Sequence, residues 1–587
     1  MRLRRAAPWA ILIVLLAASP LLYRAAYRIA ARRLLSGPKL RALINARPQD
    51  FRIDWDEAVS AEPGHVSIRN LRLRGSDPNV QWYATLETAD LDYSVLWLLR
   101  RHFVCTRLTG SGLTLALRSK LPPSQAETTD LGRLPKIPGF SDPPLKSPKE
   151  AFFVERNPFT IELRHVAADR FDDIWVNQFH YKGPGRLEGG LYLKPLYLAR
   201  IEAAAITLDG GGLGLGEEKP GLTVSGRITA LTKLFEPLRV PIEKFPTVLT
   251  ADAKLDVRAA SLSALEPLTA LPAGLHFESG GAVAAIRLGA HEGVLDGDVA
   301  ATIDDGRLRL DDVPNALGLS GSVKASAKPH DLKGLSLSAL LGDLTGDVQL
   351  DLRADKLQVL GKLVHLRTGT RIEGGASTAA IRVSAKAGVA DGKFSLRVKN
   401  AAVRTKQYRL RGDASVDVPV RQWKLSGDTF DVSGARAALT DVYSTGDDPT
   451  RRWWGTVDVP SGRLGKNISA KILLQCRDAR PLLALFGVKL PAWTNGLVQL
   501  DDFSATANLA VAPEVLRVGD LDAKGGTFHV QGQYVEDHKA ANGAFLIQSG
   551  ILLLGVEVVP PKPAKVRLLL AKQWYEKQVP PPSGGGK

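Results

Sequence analysis

Cysteine is nearly absent: Cys105 and Cys476 are the only two in 587 residues. That count excludes a disulfide framework and a cysteine-based metal cluster. It leaves one long-range bridge or two buried free thiols, and the second reading is favoured. Methionine occurs once, and aromatic residues make up only 6% of the chain. Signatures of catalysis are missing as well. There is no H-E-x-x-H, and the ten histidines, among them His65, His102, His165 and His180, show no close metal spacing. There is no G-x-S-x-G. Asp304-Asp305 and Asp311-Asp312 read as turn acids. The glycine run from Gly210 to Gly216 lacks the Lys-Ser/Thr ending of a phosphate loop and the G-x-G-x-x-G spacing, so it reads as a β-turn. The expectation is a protein that is not an enzyme and holds neither cofactor nor metal.

Acidic residues are missing from Met1 to Gln49, while the whole chain carries a net charge of +16. The basic residues are scattered singly along the polar sides of strands rather than gathered into an aromatic-interleaved stripe. That distribution excludes a nucleic-acid partner and suits a membrane surface. Charged residues are 24% and hydrophobic ones 44%, which is ordinary for a folded chain. Abundant Gly, Ala, Val and Leu with short turns favour many strands over packed helices.

The longest uncharged stretch runs from Ala6 to Tyr23. Its eighteen residues at about 1.5 Å each give roughly 27 Å of helix, just enough to cross a hydrocarbon core. Trp9 and Tyr23 stand near its ends, where aromatic side chains favour the interface. A cleaved signal peptide is the rival reading. Its only small-residue exit, Ala17-Ala18-Ser19, is followed by Pro20, which makes a poor cleavage site, so the anchor is favoured. Arg24, Arg28 and Arg32 recur every fourth residue, and with Arg33 they would line the membrane-facing side of a juxtamembrane helix. A solvated helix flank explains them equally well. By position, Arg2, Arg4 and Arg5 precede the span, and Arg24, Arg28, Arg32, Arg33, Lys39 and Arg41 follow it. Taken literally, that count keeps the body in the cytoplasm, although the rule weakens when a long folded domain follows the span.

After the anchor and basic helix (residues 1–45), a first β region spans 46–118. In HVSIRNLRLRG, Val66 and Ile68 are out of phase with Leu71 and Leu73, which predicts a bulge. Residues 119–150 are a proline-rich loop without a core of its own, a spacer or a partner site. A second β region covers 151–230. Residues 231–477 and 478–575 read as β repeat units with short helices, and 576–587 as a disordered tail. A Pro-Leu signature recurs at Glu236-Pro237-Leu238, Glu266-Pro267-Leu268 and Arg480-Pro481-Leu482. Near the end, Trp574 and Tyr575 suit a capping helix, with a membrane-interface role as the rival.

Between these signatures the alternation is regular. Leu255 and Val257 alternate with Lys254, Asp256 and Arg258; Val348 and Leu350 with Gln349 and Asp351. Ile381 and Val383 alternate with Arg382 and Ser384; Phe394, Leu396 and Val398 with Ser395, Arg397 and Lys399; Val416 and Val418 with Ser415 and Asp417. Period two puts the apolar groups on one face of a sheet and the polar ones on the other. The predicted fold is mainly β: long antiparallel meanders forming a twisted groove or a sandwich, with one N-terminal transmembrane helix and a few short helices. The eleven apolar residues from Leu255 to Val418 named here are the candidate lining of that groove. The same alternation describes a sandwich whose apolar face is a sealed core.

The anchor followed at once by β structure, the units VSIRNLRLRG and LTGSGLTLALRS, and RPLLALFGVKLPAWTNGLVQLDDFSATANLAV with its Pro-Leu signature resemble the AsmA-like family. These are bacterial envelope proteins that include TamB relatives and are similar to chorein-type bridge proteins. The resemblance implies a single-pass inner-membrane protein with its body in the periplasm and a long β-groove lined by apolar side chains. It also implies phospholipid as the partner along the groove, an envelope protein as a further partner, and a role in lipid transport and outer-membrane biogenesis. The alternative is a non-transporting envelope scaffold that assists outer-membrane assembly through protein contacts.

Overall fold

The structure, a computed structural model, describes residues 23–45, 51–76, 79–98, 100–126, 131–146, 159–194, 197–216, 221–237, 239–240, 242–269, 271, 274–310, 313–331, 336–357, 371–404, 409–444, 452–479, 501–537, 540–559 and 565–578. The expected span from Ala6 to Tyr23 lies outside these residues except for Tyr23. Among the described residues no helix is long and apolar enough to cross a membrane. The chain divides into two compact units: residues 1–265 with 282–299 and 328–335, and residues 266–281 with 300–327 and 336–587. Both are mainly β, as the alternation predicts.

In the first unit, helix α1 (residues 23–36) is followed by α2 (Pro38–Ile44). Little of α1 is buried beyond Ala31. It is held through polar contacts: Tyr27 and Ser60 share a hydrogen bond of 2.6 Å, Arg28 Nε donates to the Ala61 carbonyl at 3.3 Å, and the Trp55 indole donates to the Leu35 carbonyl at 3.2 Å. The strands are β1 (Phe51–Asp54), β2 (Glu57–Val59), β3 (His65–Ser76), β4 (Val80–Tyr93), β5 (His102–Ser111), β6 (Leu113–Ser119), β7 (Thr160–Ala168), β8 (Phe171–Val176), β9 (Phe179–Lys182), β10 (Gly185–Lys194), β11 (Leu198–Leu215), β12 (Leu222–Thr232) and β13 (Leu249–Ala259). Helix α3 (Val95–Leu98) connects β4 to β5, and α4 (Pro123–Ala126) follows β6.

Eight of these strands close on themselves. Pairing runs β4–β5–β7–β10–β11–β9–β8–β6 and returns to β4. The result is a closed barrel, which the predicted meander does not contain. Two of its pairs, β5–β7 and β6–β8, are parallel, because the long connection after β6 carries the chain back to run in the same direction. Leu86, Ala89, Leu113, Ala168, Phe171 and Tyr181, joined by Leu71 of β3, fill a sealed core.

The phase change expected in β3 falls at Asn70, whose φ of +51° lies in the left-handed region that Asn tolerates. β4 changes phase opposite it, between Leu86 and Ala89, so the pairing register itself runs on unshifted. The glycine run is not a turn but the end of β11. Gly211 is required there because a Cβ would stand 2.4 Å from Cζ of the Tyr181 ring. The Tyr181 hydroxyl donates to the Pro184 carbonyl at 2.6 Å and accepts from the Gly211 N–H at 3.0 Å.

The described part of the proline-rich loop is bound to the barrel rather than spaced from it. Arg118 at the end of β6 is fully buried. Its guanidinium donates to Gln81 Oε1 at 2.9 Å, to the carbonyls of Pro135 and Ser141 at 3.0 Å each, and to Asp142. Ile137 is buried and Arg74 donates to the Pro138 carbonyl at 3.1 Å. A buried guanidinium is tolerated only when its donors are met, and the loop's carbonyls meet them.

β14 (Leu275–His291), β15 (Val294–Leu310) and β16 (Val313–Asp331) contribute residues to both units. The second unit continues with α5 (Leu337–Asp343), capped by the Ser336 hydroxyl accepting from the Ala339 N–H, and then β17 (Thr345–Ala354). There follow β18 (Arg371–Lys386), β19 (Val389–Arg404), β20 (Arg409–Lys424), β21 (Phe430–Asp431), β22 (Ala435–Ser444), β23 (Trp453–Leu464), β24 (Ile468–Asp478), β25 (Asp501–Ala512), β26 (Val515–Gly525), β27 (Phe528–Asp537), β28 (Ala541–Ser549), β29 (Leu552–Val558) and β30 (Lys565–Arg567). The last helix, α6 (Ala571–Gln578), lays Trp574 over Gly555, so it caps the final strands. Where the second Pro-Leu signature predicts a helix, the structure has a 3₁₀ turn, Leu262–Leu268. At the first, the Glu236 carbonyl accepts from the Arg239 and Val240 N–H in a turn, and a 3₁₀ segment, Ile242–Thr247, comes only after it. The third signature lies outside the described residues.

A line of bulges crosses β18 to β22: register shifts occur near Gly375 in β18, Asn400 in β19 and Asp441 in β22, each with a left-handed φ. A further shift near Asp520 in β26, also left-handed, lies off this line. Bulges bend strands and raise their twist, so a line of them curves the sheet. Val442, Trp453, Cys476 and Ala479 form a small sealed core close to this line, with Leu410 and Phe503 packed on it.

Candidate functional site

The second unit's strands pair in sequence order, and their register places one apolar residue opposite another from strand to strand. Leu319 of β16 faces Leu352, which faces Ala379, then Leu396, Val416, Ala437 and Val457. Beyond β23 the row continues through Leu474, Ala505, Ala523, Val530 and Ile547 to Leu554 of β29. Thirteen strands contribute one residue each. At about 4.8 Å per strand the row extends roughly 58 Å.

Most of this row is only half-buried. Leu319, Leu352, Leu396, Val416, Val457, Leu474, Val530, Ile547 and Leu554 all keep part of their surface open, and only the small Ala505 and Ala523 are buried. The core of the first unit gives the contrast, since Leu71 is 3% and Phe171 2% exposed. Inner faces of closed β packings bury their apolar side chains fully. The row is apolar like a core but half-buried rather than sealed; no member is fully exposed, and its first two, Leu319 and Leu352, pack against the buried cluster of Leu308, Leu310, Leu317 and Ala354.

The opposite face is an ionic ladder. Arg382 Nη2 donates to both Asp351 oxygens at 2.7 Å. Asp417 takes Lys393 and Arg397 at 2.8 Å each and the Ser395 hydroxyl at 2.9 Å, while Lys399 pairs with Asp413 at 2.8 Å. The Lys393 ammonium, helped by Arg397 and Ser395, holds the Asp417 carboxyl at about 2 against the usual 3.8. Exposed pairs of this kind add little stability each. They mark the face that stays in water, and so leave the other for apolar contact.

The sequence-derived lining residues of this unit share the apolar face. Val348 faces Val383, and Leu350, Ile381, Phe394 and Val418 form a second row beside the first. Leu396 and Val416 are in the main row, and Val398, near the Asn400 bulge, is the one candidate that is fully buried. Leu255 and Val257 belong to the first unit. They are half-buried on β13, opposite Gly226 and Val224 on one side and Ile286 and Ala284 on the other. Sequence reading passed over Leu319, Ala379, Ala437, Val457, Leu474, Ala505, Ala523, Val530, Ile547 and Leu554. The signal was present in part, since Val457 stands between Thr456 and Asp458.

Arg24, Arg28, Arg32 and Arg33 are all exposed on α1, and Arg28 also reaches the Ala61 carbonyl. Cys105 and Cys476 are free and buried, and burial pushes both thiols up to about 11, which leaves them protonated and unreactive at neutral pH. Among the described residues no group of three or more His, Cys, Asp or Glu is placed to hold a metal ion. No family model, no curated protein and no solved structure matches this chain.

Proposed function

We propose that this protein is a membrane-anchored lipid carrier of the bacterial envelope. In this reading the uncharged stretch from Ala6 to Tyr23 spans the inner membrane, the β body stands in the periplasm, and the half-open apolar row shields or transfers phospholipid in support of outer-membrane biogenesis. The row is the observation that carries the reading. An acyl chain in water costs about 0.8 kcal/mol per methylene, so a chain of about sixteen carbons carries roughly 12 kcal/mol of gross penalty. A continuous apolar face removes that penalty while the headgroup remains in water. The bulge line supports the reading too, since a curved sheet offers a trough where a flat one offers a plane.

The test is direct. Photo-crosslinking residues at Phe394, Leu396 and Val416 are expected to form phospholipid adducts in cells, and the purified protein to carry phospholipid detectable by mass spectrometry. Protein-only adducts at all three positions, with no co-purifying lipid, would sink the carrier. A reporter placed after Lys587 reads the side of the membrane, and a cytoplasmic signal would overturn the periplasmic placement.

The scaffold alternative has an observation of its own. At the end of the second unit Ile551 is fully exposed and Leu568, Leu569 and Leu570 are 69–86% exposed, beside the three-residue edge strand β30. Such a patch suits contact with another protein. It is compatible with a carrier that hands lipid to a partner.

A further inference from the structure

The connection between β4 and β5 has a composition that water does not favour. β4 ends at Tyr93, and the chain turns through α3 before Arg100 and Arg101 lead into β5. All four residues of α3 are apolar and all are exposed: Leu96 at 77%, and Val95, Trp97 and Leu98 at 38–43%. Loop tips facing solvent are ordinarily polar. An exposed apolar tip with cations at its base is the pattern of a segment that enters the headgroup region of a bilayer. The Arg100 guanidinium lies 5.4 Å from the centre of the Trp97 ring, so the cation and the aromatic ring already sit together.

The base of this tip is tied to α1. Tyr93 stacks on Phe103 at 5.9 Å, and its phenol lies against the hydroxyl of Tyr27, which also bonds to Ser60. Tyr27 is four residues past Tyr23, about 6 Å along a helix. The base of the tip is therefore joined, through two tyrosine side chains, to α1 about one helical turn past the end of the uncharged stretch. Basic residues line the α1 side: Arg24, Arg28 and Arg32 are exposed and no acid occurs before Asp50, while the acids near the tip, Asp92 and Glu162, lie against His65 and His102.

We propose that Val95–Leu98 is a second membrane contact, inserting into the interfacial layer of the same anionic bilayer, with Arg100 and Arg101 at the phosphates. Two contacts fix the orientation of the first unit against the membrane, where a single helical tether leaves it free to swing. This inference rests on the anchor portion of the proposed function. It does not depend on lipid moving along the row.

The experiment uses the full chain with Leu96→Cys, labelled with an environment-sensitive nitrobenzoxadiazole dye. The native thiols are buried, so labelling is selective for the new one. The protein is reconstituted into vesicles of phosphatidylethanolamine and phosphatidylglycerol and floated on a density gradient. Flotation with a blue-shifted emission that nitroxide-bearing lipid quenches, and aqueous iodide does not, is the expected result. Flotation with a water-like emission that iodide quenches overturns the tip contact and leaves the anchor standing. Failure to float overturns both.

Discussion

Asp417 shows how single residues keep the two faces of the second unit apart. Lys393, Arg397 and the Ser395 hydroxyl all reach its carboxylate, and its ionised form is favoured down to about pH 2. A carboxyl whose folded pKa lies below its unfolded value of 3.8 contributes stability above that value. The contribution is lost as pH falls from about 4 to about 2. Asp413, lowered chiefly by Lys399, acts in the same direction. The second unit is therefore expected to lose stability over that acid window. Asp417→Asn, which keeps the shape and removes the titration, should flatten part of the decline. Urea midpoints measured from pH 5 to pH 2 would show it; a variant as steep as the parent would remove Asp417 from the account.

At the scale of elements, the strands themselves were legible in the sequence and their closure was not. Alternation at Val348–Leu350, Ile381–Val383 and Phe394–Val398 predicts which side chains share a face, and the register bears this out. Alternation is blind to the neighbour, however. Thr160–Ala168 and Phe171–Val176 would read the same in an antiparallel meander as in the parallel pairs they make with β5 and β6. Those pairs depend on where a forty-residue connection returns, and no local pattern encodes that. Gly211 failed as a turn signal for a similar reason, since what requires it is a tyrosine ring thirty residues earlier. Asn400, Asp441 and Asp520 tolerate left-handed backbone wherever they stand, so their composition could not separate a bulge inside a strand from a turn between strands. The apolar run SVLWLL follows β4 with no Gly or Pro between them, so composition does not mark where the strand ends. Only the structure shows β4 ending at Tyr93 and the next apolar residues turned outward.

For the whole molecule, the question is whether the row stores lipid or conducts it, and its geometry separates the two. Val457 lies at the seventh of thirteen positions, between Ala437 and Leu474, and is half-buried. A charge there would forfeit a partly buried valine and stay partly solvated, at a stability cost of about 1–2 kcal/mol. A carboxylate in the path would oppose an acyl chain far more than it opposes folding, because the chain must pass over it and the fold need only bear it. If lipid moves along the row, Val457→Glu should abolish transfer between donor and acceptor vesicles while photo-adducts at Leu396, on the near side, persist. If the row only shelters lipid in place, the same variant should lose adducts next to position 457 and leave exchange at the parent rate. A thermal melt close to the parent's would exclude unfolding as the cause, and the transfer assay read beside the Leu396 adduct yield decides between the two modes.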